Sequence, residues 1–271
     1  MEPASPEVRP AAAPAEIESR PVRRQRVIEV WLVLALSLGA SGVYAVLNLV
    51  QDLTQSAKPL SQQVAVLNGA VTPGRPLLDL AYQLVGIAST VAPVALVAYL
   101  LSRSGESLTS LGFDLRRPRR DLALGAGLAA VIGGAGLGLY LGAYHLGASL
   151  NVVATTLPPS WWRIPVLLLQ AAQNGALEEV VVCGYLLRRL DQIGWGEGRS
   201  LVTSAVIRGS YHLYQGFGGF AGNLVMGLIF GRIFQRRGRV APLAVAHFLI
   251  DAVAFVGYAL LVGKVSWLPQ P

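Results

Sequence analysis

Six side chains able to carry charge lie inside long apolar stretches of this chain: Glu178 and Glu179 in one, Arg208 and His212 in a second, His247 and Asp251 in a third. A charged side chain at the centre of a bilayer costs roughly 3 kcal/mol on insertion scales, so residues of this kind mark functional sites by default. The pairs 208/212 and 247/251 are spaced i,i+4, so each helix shows both members on one face, and that face must point into protein. At a rise of about 1.5 Å per residue from the nearest arginine, Glu178, His212 and His247 lie about 15, 20 and 12 Å deep, one common layer. Carboxylates, imidazoles and a guanidinium in a water-poor cavity can activate water: a glutamate takes the proton, an imidazole shares it or orients the water, and another polar group faces the developing oxyanion. A polar network that fixes helix register, a proton relay or an ion site would use the same residue types.

The elements that must position these groups are membrane spans. The chain has 271 residues, 53% hydrophobic and 14% charged, with a mean hydropathy of +0.52, which excludes a disordered or ordinary water-soluble domain. A single cysteine, Cys183, excludes an internal disulfide and a thiolate metal cage. Apolar stretches at 27–50, 77–101, 121–147, 164–187, 201–215, 217–235 and 240–263 predict an all-α polytopic transmembrane bundle of seven spans, or eight if the fifth is divided differently at Gly216, Gly218 and Gly219. With the N-terminus cytoplasmic, 17 of the 22 Lys and Arg fall on the inner side, as the positive-inside rule requires. The net charge of +7 therefore reads as membrane sidedness, with the lipid bilayer as partner and no nucleic acid. All five tryptophans fall near span ends, and Glu29, Asp79 and Asp121 fall at span starts within reach of water. Residues 1–26 form a disordered cytoplasmic tail without a cleavable signal, 27–119 the N-terminal helices and loops, 120–263 the polar-bearing core, and 264–271 a short tail.

Within that core, Glu178-Glu179-Val180-Val181-Val182-Cys183 resembles the EExxxR motif of the CPBP intramembrane proteases, a group that includes the type II CAAX prenyl endopeptidases and bacteriocin-immunity relatives. Arg208-Gly209-Ser210-Tyr211-His212 resembles the family's FxxxH, and His247-Phe248-Leu249-Ile250-Asp251 its HxxxN/D. The resemblance implies a membrane endopeptidase in which Glu178 activates water with His212, His247 and Asp251 stabilise the oxyanion, and Glu179 supports them. It leaves the cofactor open between zinc and none, with Glu178, His212 and His247 as candidate metal ligands. The substrate it implies is a peptide or membrane protein at the inner membrane of a bacterial cell. Two positions depart from the motifs: Cys183 stands for the arginine and Arg208 for the phenylalanine. An exchange of cation explains both, Arg208 supplying the charge that position 183 has lost. Asp251 as a carboxylate would repel an oxyanion, which makes orienting His247 its other role.

Other motifs carry less. Gly39-Ala40-Ser41-Gly42 spells the GxSG of rhomboid proteases, but in a first span it reads as a surface for helix approach, as do Gly134, Gly138 and Gly142. No histidine is followed by glutamate, so HExxH zinc proteolysis is excluded. His145 reads as interfacial. Asn174 and Asn223 read as cavity lining or as interhelical glue. Two other functions compete with the protease: a non-catalytic immunity or scaffold protein of the same fold, and a proton-coupled transporter using Glu178 and Glu179.

Overall fold

The computed structural model describes residues 20–54, 58–265 and 268. In chain order the helices are α1 (Arg20–Ala35), α2 (Leu38–Thr54), α3 (Pro76–Arg103), α4 (Pro118–His145), α5 (Arg163–Glu178), α6 (Leu187–Gln192), α7 (Glu197–Ser210), α8 (Phe217–Arg237) and α9 (Ala241–Leu261). Proline in the first turn opens α3, α4 and α9, where a missing N–H has no partner to lose. Gly238, at φ +63°, ends α8. Two strands, β1 (Val64–Asn68) and β2 (Asn151–Thr155), pair in parallel with Ala65 opposite Val152 and Asn68 opposite Thr155. The helical bundle is as expected; the small sheet, built from two loops at one end, is an addition that the all-α reading lacks.

The span count differs from seven. Among the described residues, five helices are long and apolar enough to cross a membrane, the α5–α6 rod counting as one, or six if the bent pair α1 and α2 forms a single span. That pair meets at 49° across Leu36 and Ser37, so the stretch 27–50 is two helices. The predicted span 201–215 fails for a simple reason of length: α7 has 14 residues, about 21 Å against a hydrocarbon core of about 30 Å. Beyond Ser210 the chain turns through a short 3-10 piece, Leu213–Gln215, and reverses at Gly216, whose φ of +91° favours glycine. The loop before β2 pins this reversal, with Leu150 N–H donating to the Gln215 carbonyl at 3.1 Å. A side chain on Gly218 would overlap Ser149, so the glycines that blur the span boundary are the ones the reversal requires.

Helix α1 begins at Arg20, inside the expected 1–26 tail; residues 1–19 of that tail, Trp267 and most of 264–271 lie outside the described residues. Trp162 is buried in a core cluster rather than placed at an interface. Asp79 and Asp121 do not reach for water. Asp79 accepts the Val71 and Thr72 N–H groups at 2.7 and 3.2 Å, and Asp121 binds Arg239 at 2.6 Å. Gly125 packs against α9, where a Cβ would sit 2.5 Å from Val245, whereas Gly134, Gly138 and Gly142 have no atom within 4 Å of a built Cβ among the described residues and so make no close helix approach there.

Two apolar clusters stack along the bundle. One gathers Val166, Leu167 and Ala171 of α5 with Ala252, Phe255 and Tyr258 of α9 near the sheet. The other gathers the residues after Leu177 with Leu243 and Ala246 of α9 toward the arginine-rich end. The charged residues of α5 and α9 fall in the seam between the two.

At the arginine-rich end, ion pairs tie loops to helices. Arg239 binds Asp114 at 3.0 Å as well as Asp121, while Arg188 and Arg189 bind Glu106 at 2.7 and 2.6 Å. Burial raises the pKa of the Glu106 carboxyl, but hydrogen bonds from Arg188 and Gln192 and the charges of Arg188 and Arg189 outweigh it and hold it below the ordinary 4.5. A depressed folded pKa means that this stabilisation is complete above the unfolded value and is lost as pH falls through the folded one. Glu106→Gln is expected to cost about 1–2 kcal/mol at neutral pH. Its thermal unfolding in detergent should converge with that of the parent as the pH falls below 4.5.

Candidate active site

The site starts from a local irregularity in the helix that carries the glutamates. After Glu178 the chain is π-helical over Glu179–Leu186, with hydrogen bonds to the fifth residue rather than the fourth, and returns to α-helix at Leu187. Such stretches are rare and concentrate at functional sites. Each residue added to a turn rotates the remainder of the helix by about 100°, so the face that shows Glu178 is uncoupled from the face of α6. Ser204 of α7 donates to the Val182 carbonyl at 2.9 Å, securing the widened turn. All eight residues of the stretch are buried, Cys183 among them in the apolar core.

Arg208, in the last turn of α7, points into this region and is fully buried. Its Nη2 donates to Glu179 Oε1 at 2.6 Å and lies 3.5 Å from Glu178 Oε2. His247 Nδ1 donates to the same Glu179 oxygen at 2.8 Å, which brings the ring nitrogen 3.1 Å from Arg208 Nη2. Phe230 and Met226 of α8 close the far side, with the guanidinium carbon 5.5 Å from the Phe230 ring centre. Three elements are thus bound through one guanidinium, one carboxylate and one imidazole.

The other groups face a cavity of about 410 Å³. Glu178, His212, His247 and Asp251 line it, together with Tyr211 and Asn174, whereas Glu179 and Arg208 lie behind its wall. Tyr211 donates its hydroxyl to Glu178 Oε2 at 2.8 Å. His212 sits in the turn after α7 and donates from Nδ1 to the Arg208 carbonyl at 3.0 Å, leaving Nε2 as the acceptor nitrogen. Asp251 Oδ2 accepts the Asn174 amide at 2.8 Å and lies 3.7 Å from His247 Nε2.

The six residues singled out from the sequence meet in one region, divided between cavity wall and interior. Asn223, by contrast, donates to the Gly219 carbonyl of its own helix at 3.1 Å and does not line the cavity, and His145 is exposed at the end of α4. Ser41 reaches the cavity, while Gly42 beside it serves packing, a Cβ there lying 3.1 Å from Ser210 Oγ. Sequence reasoning missed Tyr211 and the buried amides Gln83 and Gln170. Their signal was present, because each is a polar side chain deep within an apolar stretch.

Among the described residues, no group of three or more His, Cys, Asp or Glu side chains converges as a metal cage. The donors expected to form one are engaged elsewhere: His247 Nδ1 with Glu179, and Glu178 with Tyr211 and the Arg208 cation. A second cation beside Glu178 would meet the guanidinium at close range, while Nε2 of His212 and Nε2 of His247 remain directed to the cavity.

Residues 159–253 match the family model described as type II CAAX prenyl endopeptidase Rce1-like. The matched stretch, about a third of the chain, is similar to that family's domain, which supports the resemblance to the CPBP proteases. It runs from the approach to α5 into α9 and holds all six residues of the site. No curated protein and no solved structure matches the chain. In this chain the cation paired with Glu179 comes from α7, not from the helix of the glutamates. Arg208→Met leaves a buried carboxylate uncompensated and is expected to cost about 3–5 kcal/mol of stability. Cys183→Arg, which adds a second buried cation, should also destabilise. The double variant Cys183→Arg/Arg208→Phe should recover much of the loss, read as the unfolding midpoint in detergent. A double variant no better than the worse single one would reject the exchange of cation.

Proposed function

We propose that this protein is an intramembrane endopeptidase that hydrolyses a peptide bond of a membrane-associated peptide or protein by glutamate-activated water. The observation that carries the reading is one cavity lined by Glu178, His212, His247 and Asp251, with a charged network held behind it. Water bound between Glu178 and the acceptor Nε2 of His212 loses a proton to the carboxylate as its oxygen attacks the carbonyl carbon. His247, held through Nδ1 by Glu179, turns its Nε2 toward Asp251 and the cavity; as an imidazolium between these two carboxylates it carries an Nε2–H that can bind the oxyanion. Asp251 accepts the Asn174 amide, so its part is to orient His247, and Asn174 brings an amide to the position where the family motif offers one. Collapse of the tetrahedral intermediate breaks the C–N bond, and Glu178 returns its proton to the leaving nitrogen. Arg208 and Glu179 act from behind the wall by fixing His247 and the resting charge of Glu178. No metal takes part in these steps. In this reading the chain lies in the inner membrane of a bacterial cell with its arginine-rich end cytoplasmic, a sidedness that the bias of its charged loops supports.

The test is cleavage of membrane-protein fragments by the purified protein in nanodiscs, with new termini identified by mass spectrometry. Glu178→Gln and His212→Ala should each abolish cleavage; His212→Ala should leave thermal unfolding close to that of the parent, and Glu178→Gln should lower it by less than Arg208→Met does, because Glu179 still pairs with Arg208 at 2.6 Å. A chelator should leave the rate unchanged. Cleavage that survives Glu178→Gln would refute the mechanism. A scaffold would keep its cellular phenotype in both variants, and a transporter would show proton-dependent uptake in vesicles.

A further inference from the structure

The cavity is not symmetric between the two ends of the bundle. Toward the arginine-rich end none of its lining residues on the glutamate helix lies beyond Glu178, and Val180, Val181 and Val182 of the π-helical stretch, with Leu101, Leu111 and Leu243, are buried without exposure. Toward the sheet end it continues. Its wall runs along α3 from Thr90, at the middle of that helix, through Ile87 and Gly86 to Gln83 in the half nearest Pro76, and includes Leu67 and Asn68 of β1. Helix α2 packs on α7 and the 213–215 turn, and α3 packs on α5. Leu38 and Ser41 of α2 and Ile87 and Thr90 of α3 all line the cavity, and α2 and α3 are not among the closely packed helix pairs, so the gap between them, beneath the two-stranded sheet, is the opening we assign to it.

The chemistry of that passage is uniform. Before Glu178, Asp251 and the two histidines are reached, its polar lining is neutral and dominated by carboxamides: Asn68, Gln83, Gln170, Gln173, Asn174 and Gln215. Two of them form a relay, Gln170 Nε2 donating to Gln83 Oε1 at 2.8 Å and Gln83 Nε2 donating to the Gly69 carbonyl at 3.0 Å. Gln170 is more than nine-tenths buried, and its own Oε1 has no hydrogen-bond partner, an acceptor awaiting a donor. Carboxamides pair equally well with the N–H and C=O groups of an extended backbone, and a passage without Lys, Arg, Asp or Glu offers nothing to a charged side chain.

We infer that substrates reach Glu178 from the extracytoplasmic half of the membrane, through the gap between α2 and α3, as extended uncharged peptide segments. The side follows from charge: the opposite end carries Arg188, Arg189, Arg232 and Arg239 with the loops they bind, and arginine-rich loops are retained in the cytoplasm. This deepens the hydrolase reading by naming its substrate class and direction of approach, and it is tested without cleavage.

The full chain carries one native thiol, Cys183, which is buried and serves as the unreactive background. Single cysteines at Val71 in the sheet-end loop, at Thr90 in the passage and at Arg119 near the arginine-rich end are treated with a membrane-impermeant methanethiosulfonate in intact bacterial cells and in inverted vesicles. Val71→Cys and Thr90→Cys should label in cells, and Arg119→Cys only in inverted vesicles. Thr90→Cys that labels only in inverted vesicles, or in neither preparation, overturns the direction of approach. An inverted pattern for Val71→Cys and Arg119→Cys overturns the side. In the Glu178→Gln background, an end-blocked uncharged peptide should suppress Thr90→Cys labelling and a lysine-rich peptide of equal length should not. Equal protection by both overturns the substrate class. Because Glu178→Gln removes the proposed base, these results stand or fall apart from turnover.

Discussion

A guanidinium without exposure to solvent, held between carboxylates in an apolar bundle, is the constraint on which the rest of this structure depends. Arg208 can stay there only because Glu179 Oε1 meets it at 2.6 Å and Glu178 is close enough to share its field. Desolvating such a group is costly, and here the close charge pair offsets that cost through Nη2 alone, Arg208 Nε and Nη1 and Glu179 Oε2 having no hydrogen-bond partner among the described residues. That requirement brings the C-terminal turn of α7, the end of α5 and the middle of α9 to one point. It also accounts for local features that look like irregularities: a helix too short to span, a reversal at Gly216 and a π-helical stretch where the glutamates meet their partners.

The same interaction divides the polar residues by task. Glu179, Arg208 and one nitrogen of His247 bind one another inside the wall. Glu178, His212, Asp251 and the other nitrogen of His247 are left to the cavity. A carboxylate that must move a proton is thereby kept beside a fixed positive charge without being locked to it, since Glu178 lies 3.5 Å from Arg208 where Glu179 lies at 2.6 Å. The tyrosine hydroxyl on Glu178 and the amide on Asp251 complete a set of neutral partners that water or a peptide can displace.

Much of this was legible in the sequence, and the parts that were not share a cause. Hydropathy marks which stretches are apolar, so the helical membrane bundle and the depth of the charged residues could be read directly. It does not say whether an apolar stretch faces lipid or protein. The segment 201–215 was therefore counted as a span although α7 is half enclosed and ends at Ser210, and Asp79 and Asp121 were given to water although loop N–H groups and Arg239 claim them. The i,i+4 spacing of 247/251 put that pair on one face of α9, whereas the same spacing of 208/212 promised a shared helix face that the structure does not keep. Spacing could not show that His212 lies beyond the end of α7, in a turn that aims it into the cavity while Arg208 points away.

Residue types and their spacing by themselves determined that this chain lives in a bilayer, that its loops are sorted by charge, and that three apolar stretches carry groups no lipid would tolerate. Those are one-dimensional facts, because the free energy of transfer from water to hydrocarbon is set residue by residue. Only the tertiary structure decided which carboxylate is tied to the arginine and which is free, toward which end of the bundle the cavity extends, and that amides from α3 and α5 line it. Such choices depend on distances of a few ångströms between helices remote in sequence, and hydrogen-bond and Coulomb energies change steeply over that range.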